Sequence, residues 1–272
     1  MTKSMKLIIF ASVFVLVLLL GAILFLSTKS IMENNVSGEL ESETSAANSE
    51  VAIKTKEDFF VYPNAYLNPA PEVPENYAAI DALVNKHSPL PSDYTPADLV
   101  SVAIPKLRDA KLRSCASDAL TELHNAAKKE GLTFLATSGF RSYDLQVSLY
   151  NSYYIQDGAE AADTYSARPG FSEHQSGLVM DISYDGTLEE SFGDTDIGKF
   201  IADNSHTYGY IVSYPKDKEL LSGYTYEPWH LRYVGQNYAT MIYNSELVMP
   251  EFIQVCEKFP FLTKIGQSTM NE

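Results

Sequence analysis

The chain has 272 residues, 45% hydrophobic and 20% charged, a composition that suits one globular domain with a sizeable core plus an appendage. Its 20 Lys+Arg stand against 35 Asp+Glu, a formal net charge of -15, which argues against generic binding to nucleic acid or anionic lipid. Cys115 and Cys256 sit in no C-x-x-C pair and at no zinc-like spacing from a histidine, so they fit one disulfide or two free thiols and are assigned no chemistry.

Residues 7–26 form an uncharged run of 20 residues, long enough to cross a hydrocarbon core as a helix. A cleaved signal peptide has a shorter apolar region of about 7–15 residues and an A-x-A-like site, whereas this run ends at Ser27-Thr28-Lys29. Lys3 and Lys6 precede it and only Lys29 follows closely, so the positive-inside bias favours a cytoplasmic N-terminus. Residues 1–29 are therefore expected to be a cytoplasmic stub and single-pass anchor in a cell membrane, with the rest of the chain outside. Residues 30–57 read as a flexible stalk, since the stretch 30–50 holds five Glu, no basic residue and no aromatic side chain to seed a core. Residues 58–272 are expected to be the folded domain.

Aromatic residues begin at Phe59, and a Pro-rich stretch over 69–74 leads into an ordered, loop-rich arm. Leu112, Ala116, Ala119, Leu123 and Ala127 recur at three- and four-residue intervals and Gly131 closes the segment, which predicts an amphipathic helix. A strand over 133–137 and a helix over 143–156 follow, then a strand over 178–183, a helix over 197–208, and strands over 210–214 and 229–234. The late strands are joined by short turn-rich segments rather than crossover helices. That order predicts an α+β fold with an antiparallel sheet and flanking helices.

The chemistry concentrates in two stretches, Phe171-Ser172-Glu173-His174-Gln175-Ser176-Gly177-Leu178-Val179-Met180-Asp181 and Tyr226-Glu227-Pro228-Trp229-His230-Leu231-Arg232-Tyr233. Three N/O ligands with an open fourth position are what catalytic zinc requires, and His174, Asp181 and His230 can supply them. Glu227, with Pro228 beside it, lies in a loop turning into a strand rather than in a helix, where its carboxylate can face the metal water and act as general base and then acid. No H-E-x-x-H occurs, so a helix-borne zinc site is excluded. Singly, each of these residues has an ordinary explanation, such as a surface loop, a turn cap or a sheet histidine. Their combination is what points to a site.

The pattern S-x-H-x-x-G-x-x-x-D followed by E-P-W-H-x-R-Y, with S-G-F-R-S upstream, resembles the VanY-type D-alanyl-D-alanine carboxypeptidases, zinc metallopeptidases related to the Hedgehog zinc domain. The likeness runs over residues 83–235 and includes Leu83-Val84-Asn85-Lys86, Arg168-Pro169-Gly170 and Ser222-Gly223-Tyr224. It implies a Hedgehog/DD-peptidase-like fold, Zn2+ held by His174, Asp181 and His230, Glu227 as the base, and Arg141 as the cation that steadies the oxyanion. It further implies substrate contacts from Gln146 and Ser172, and Trp229 packing under the site to orient His230. The implied reaction is removal of the C-terminal D-alanine from peptidoglycan stem pentapeptides; a monomer is the default expectation, and the acidic charge argues against a nucleic-acid partner. An L,D-carboxypeptidase acting on tetrapeptides and a silent zinc domain that binds wall peptide are the alternatives. One departure is Ser213-Tyr214-Pro215, where the family usually carries an arginine before Tyr-Pro. His87 falls in a loop, His124 on a polar helix face and His206 in a packing or capping position, and none of the three is expected to be a ligand.

Overall fold

The computed structural model describes Tyr66 and residues 71–258. The chain divides into Met1–Ile53 and Lys54–Glu272, and every described residue lies in the second unit. The apolar run at 7–26 and the stalk at 30–57 lie outside the described residues, among which no helix is long and apolar enough to cross a membrane.

Strands β1 (Leu99–Ser101) and β2 (Lys111–Arg113) pair antiparallel, with Val100 opposite Leu112. Helix α1 (Ser114–Lys129) leaves β2 directly, so Leu112, expected at the head of this helix, is a strand residue instead. The period was nevertheless informative, because Leu112, Ala116, Leu123 and Ala127 are all fully buried. Lys128 and Lys129 occupy the last turn, where positive charge suits the carbonyl end of the helix.

Strand β3 (Leu135–Ser138) precedes α2 (Tyr143–Tyr165), whose Ser142 cap accepts a hydrogen bond from the Leu145 N–H at 3.2 Å. This helix outruns the expected 143–156, but Gly158 at φ 79° breaks it into two helical pieces. Strand β4 (Val179–Ser183), α3 (Asp196–Asn204), β5 (Tyr210–Val212), the single turn α4 (Glu219–Ser222) and β6 (His230–Tyr233) follow. Helices α5 (Gln236–Ser245) and α6 (Met249–Lys258) close the described chain. The pair β1/β2 and helices α5 and α6 have no counterpart in the sequence reading.

Among the described residues the larger sheet has the order β3-β4-β6-β5 with every neighbour antiparallel, as expected for an α+β fold. Side chains alternate between the faces of a strand, so each of these strands can serve two environments. Met180 and Ile182 of β4, Leu231 of β6 and Ala136 of β3 join Leu120, Leu123 and Ile201 in the main core. On the alternate positions, Asp181 and Ser183 of β4, Thr137 of β3, and His230 and Arg232 of β6 are buried polar groups. Truncating a core leucine of this kind to alanine costs about 2–5 kcal/mol, which is what keeps the polar row in register. A second cluster of Ile211, Val234, Ala239, Ile242, Met249, Phe252 and Cys256 seats α5 and α6. Cys115 and Cys256 are free thiols, one in each cluster.

Candidate metal centre

The sheet register places two of the expected ligands side by side, because Asp181 on β4 pairs directly with His230 on β6. A register shift between Ala136 and Ser138 brings Ser138 opposite Asp181 on the other edge, the local re-aiming that a bulge produces. His174 arrives from the 3-10 turn Glu173–Ser176, which ends at Gly177 in the left-handed region (φ 68°). A side chain on Gly177 would also crowd Leu99 and Arg113, so the left-handed reversal into β4 is made most cheaply by glycine.

One ligand atom from each of His174, Asp181 and His230 lies within 4.8 Å of the others, and all three residues are buried. His174 Nδ1 sits 2.8 Å from the Gly139 carbonyl, to which its N–H donates, leaving the Nε2 lone pair facing Asp181 Oδ2 at 3.2 Å. His230 is turned the other way. Its Nε2–H donates to Glu173 Oε2 at 3.0 Å, so Nδ1 faces Asp181 Oδ1 at 3.3 Å and Glu227 Oε2 at 3.4 Å. His174 Nε2 and Asp181 Oδ1 are buried and have no hydrogen-bond partner among the described residues. Two imidazole nitrogens and a carboxylate oxygen, each with a free lone pair turned inward, match the donor set and the open coordination of a catalytic zinc.

The electrostatics favour a dication at the same point. Burial would lower the His230 imidazole, yet the carboxylates of Asp181, Glu173 and Glu227 crowded around its ring hold it well above the ordinary histidine range, so a positive charge at this point is favoured. Burial and the neighbouring Arg141 charge push His174 down to about 4, so it is neutral and able to bind metal at pH 7. For Asp181, burial works toward protonation, but the two histidines pull it well below the usual carboxylate range. Glu227 is raised, with burial the largest cause, which makes its carboxylate a better proton acceptor than an exposed one. With Arg141 beside Asp181 and Arg232 on Glu173, the three carboxylates still exceed the two guanidinium charges by one, a surplus that a cation at the ligand atoms neutralises.

Arg141 flanks this cluster, with Nη2 3.5 Å from Asp181 Oδ2 and Nη1 donating to Gln146 Oε1 at 3.1 Å. Gln146 is almost completely buried, and its Nε2 donates to the Ala167 carbonyl at 2.7 Å. Its amide is thus engaged by Arg141 on one side and by backbone on the other. Ser172 opens the His174 turn and is buried, with no side-chain capping bond. Trp229 packs against the main core, and the hydrogen bond of the His230 ring is the one that it donates to Glu173.

Glu173, Arg232 and the Gly139 carbonyl are the site groups that sequence reasoning missed. Glu173 carries a legible signal in hindsight, a carboxylate directly beside a ligand histidine. Arg232 stands inside the E-P-W-H-x-R-Y stretch, where it received no role. Burial would raise the Glu173 carboxyl, but the His230 hydrogen bond and the Arg232 charge hold it at about 2. His124 is a correction: instead of lying on a polar helix face it is buried, edge-on to Phe134 at 5.0 Å, because its ring completes the apolar side of α1. His206 stacks on Tyr243 at 3.9 Å, a packing role as expected.

A family model described as VanY: D-alanyl-D-alanine carboxypeptidase matches residues 109–236. The putative carboxypeptidase YodJ of Bacillus subtilis (strain 168) is 44% identical over 193 residues, which cover 68% of this chain and 70% of that protein. Among solved structures, the LdcB LD-carboxypeptidase is similar at 41% identity with a TM-score of 0.65, over 70% of this chain and 92% of that one. A vancomycin-resistance D,D-pentapeptidase VanY in complex with Zn(II) is similar at 32% identity and a TM-score of 0.55, over 64% of this chain and 98% of that one.

Proposed function

The chain belongs to the VanY D-alanyl-D-alanine carboxypeptidase family, and on that premise we propose that it is a zinc-dependent carboxypeptidase that removes the C-terminal D-alanine from peptidoglycan stem pentapeptides. The observation that carries this reading is the His174, Asp181 and His230 cluster with the Glu227 carboxylate 3.4 Å from His230. Bound zinc supplies Lewis acidity, which makes water a nucleophile near neutral pH. Glu227 takes the proton as water attacks the scissile carbonyl and delivers it to the departing amine of D-alanine. Arg141 faces the same cluster and balances the negative charge that builds on the carbonyl oxygen, an interaction stronger in the transition state than in the ground state. Gln146 holds the Arg141 guanidinium in place, and Ser172 lines the substrate end of the His174 turn. The purified chain with zinc should release D-alanine from a pentapeptide precursor, and zinc-loaded protein that releases none defeats the assignment.

A second reading has its own support. The LdcB LD-carboxypeptidase is more similar in both sequence and fold than the VanY pentapeptidase, with a TM-score of 0.65 against 0.55. The metal, base and arginine would serve an L,D-bond equally, since only the pocket shape tells the two stereochemistries apart. Tetrapeptide turnover exceeding pentapeptide turnover would decide for that activity.

The anchor belongs to the same proposal. The uncharged run at 7–26 would hold the chain in the cell membrane, residues 30–57 would span the gap to the wall, and residues 58–272 would work outside as a monomer. Protease added to intact cells should cut the domain but spare the stub, and sedimentation of the detergent-solubilised chain checks the monomer.

A further inference from the structure

We propose that Glu173 and Arg232 form a positioning pair that fixes which nitrogen of His230 faces the metal and how tightly the metal is held; the proposal rests on reading His174, Asp181 and His230 as the ligands. Glu173 Oε2 accepts the His230 Nε2–H at 3.0 Å, which commits the opposite nitrogen, Nδ1, to the side of Asp181 and Glu227. Either nitrogen of a free imidazole can carry the proton, so without that acceptor the ligand orientation of His230 would be unspecified.

Glu173 is itself held on both oxygens. Arg232 Nη1 donates to Oε1 at 3.3 Å, and the Tyr214 hydroxyl donates to Oε2 at 3.3 Å. Arg232 has no exposed surface, and its Nη2 donates to the Ile80 and Ala82 carbonyls at 3.1 and 2.9 Å. The carboxylate therefore cannot swing away from His230 without leaving a guanidinium unpaired in the interior, a strongly unfavourable arrangement. The link runs from the metal ligand through two buried charges to backbone about 150 residues upstream.

The pair is also built into the same backbone as the ligands. Glu173 precedes His174 in the 3-10 turn, and Arg232 stands two positions after His230 in β6, hence on the same face of that strand. Glu173 and Arg232 are both buried, and what connects them to the ligand cluster is the Glu173 hydrogen bond to the His230 ring, so both act through His230. An imidazole that donates one N–H to an anion presents its other nitrogen in a fixed direction and with greater basicity, and losing such a partner typically costs about 10–100-fold in metal affinity.

The test compares the full detergent-solubilised chain with Glu173→Gln, Glu173→Ala and a Leu123→Ala control. Zinc affinity is read by competition with a chromophoric chelator, and the ligand field by the visible spectrum of the Co(II)-substituted protein. Glu173→Gln keeps the volume and an acceptor oxygen but loses the charge, so its zinc affinity should fall about tenfold, and Glu173→Ala should fall about 100-fold with a shifted Co(II) spectrum. Leu123→Ala removes core packing remote from the pair, so it should melt earlier yet bind zinc as the parent does, which separates positioning from general stability. Should Glu173→Ala not fold, Glu173→Gln decides. Folded Glu173→Gln with the parent's zinc affinity and Co(II) spectrum overturns the proposal. Failure of the parent to release D-alanine while it still loses zinc affinity on Glu173 substitution would sink the substrate assignment and support the pair.

Discussion

Replacing Glu227 by Gln should separate metal binding from turnover. The amide keeps the shape of the side chain, while His174, Asp181 and His230 retain their mutual geometry within 4.8 Å, so zinc content should match that of the parent. What disappears is the proton acceptor, and general bases contribute typically about 10²–10⁴-fold in rate, or about 2.7–5.5 kcal/mol of transition-state stabilisation. The structure places the loss near the top of that range. No neighbouring carboxylate can take over, because Glu173 is committed to Arg232 and the far nitrogen of His230, and Asp181 belongs to the ligand set. Glu227 is also 88% shielded in its side chain, which is 12% exposed, so bulk solvent has poor access to the proton path. The assay is single-turnover D-alanine release beside zinc analysis on the same preparation. Glu227→Gln that keeps more than about a tenth of the parent kcat refutes the base assignment, and loss of zinc together with activity refutes the claim that Glu227 stands outside the ligand shell.

Three further outcomes test other parts of the structure. His174→Ala should lose zinc and activity together, because two protein ligands cannot match three, and chelator dialysis followed by metal analysis checks it. A Cβ on Gly139 would run into the Lys111 carbonyl oxygen, and Gly139 also supplies the acceptor for His174 Nδ1 at 2.8 Å. Gly139→Ala should therefore lower stability by about 1–3 kcal/mol and weaken zinc binding in the same variant, read by thermal melting and metal competition. Burial lowers the Lys86 ammonium to about 8, against a favourable Asp163 charge. The folded state then binds fewer protons than the unfolded chain above that value, so this stabilisation is present at high pH and lost as pH falls through about 8. Urea midpoints measured from pH 7 to 10 should rise more steeply for the parent than for Lys86→Met, and parallel curves would contradict the shift.

Much of this protein is written in local sequence. The three- and four-residue spacing of α1, the short alternating strands and the absence of crossover helices between the late strands specify an antiparallel α+β domain, since amphipathic period and connection length are local quantities. The ligand set was equally legible, because His174 and Asp181 share one short stretch and His230 and Glu227 another, each with residues of unmistakable metal chemistry. Burial and partners were not. Gln146 and His124 look like exposed polar residues along a helix, and only the packing of other segments over them makes both interior. Glu173 and Arg232 acquire their meaning from a pairing 59 residues apart in the chain, through the β4/β6 register that sets Asp181 opposite His230. A hydrogen bond between distant residues depends on how strands align and which face each side chain takes, and those are decided when the whole sheet closes on its core rather than by any stretch of sequence alone.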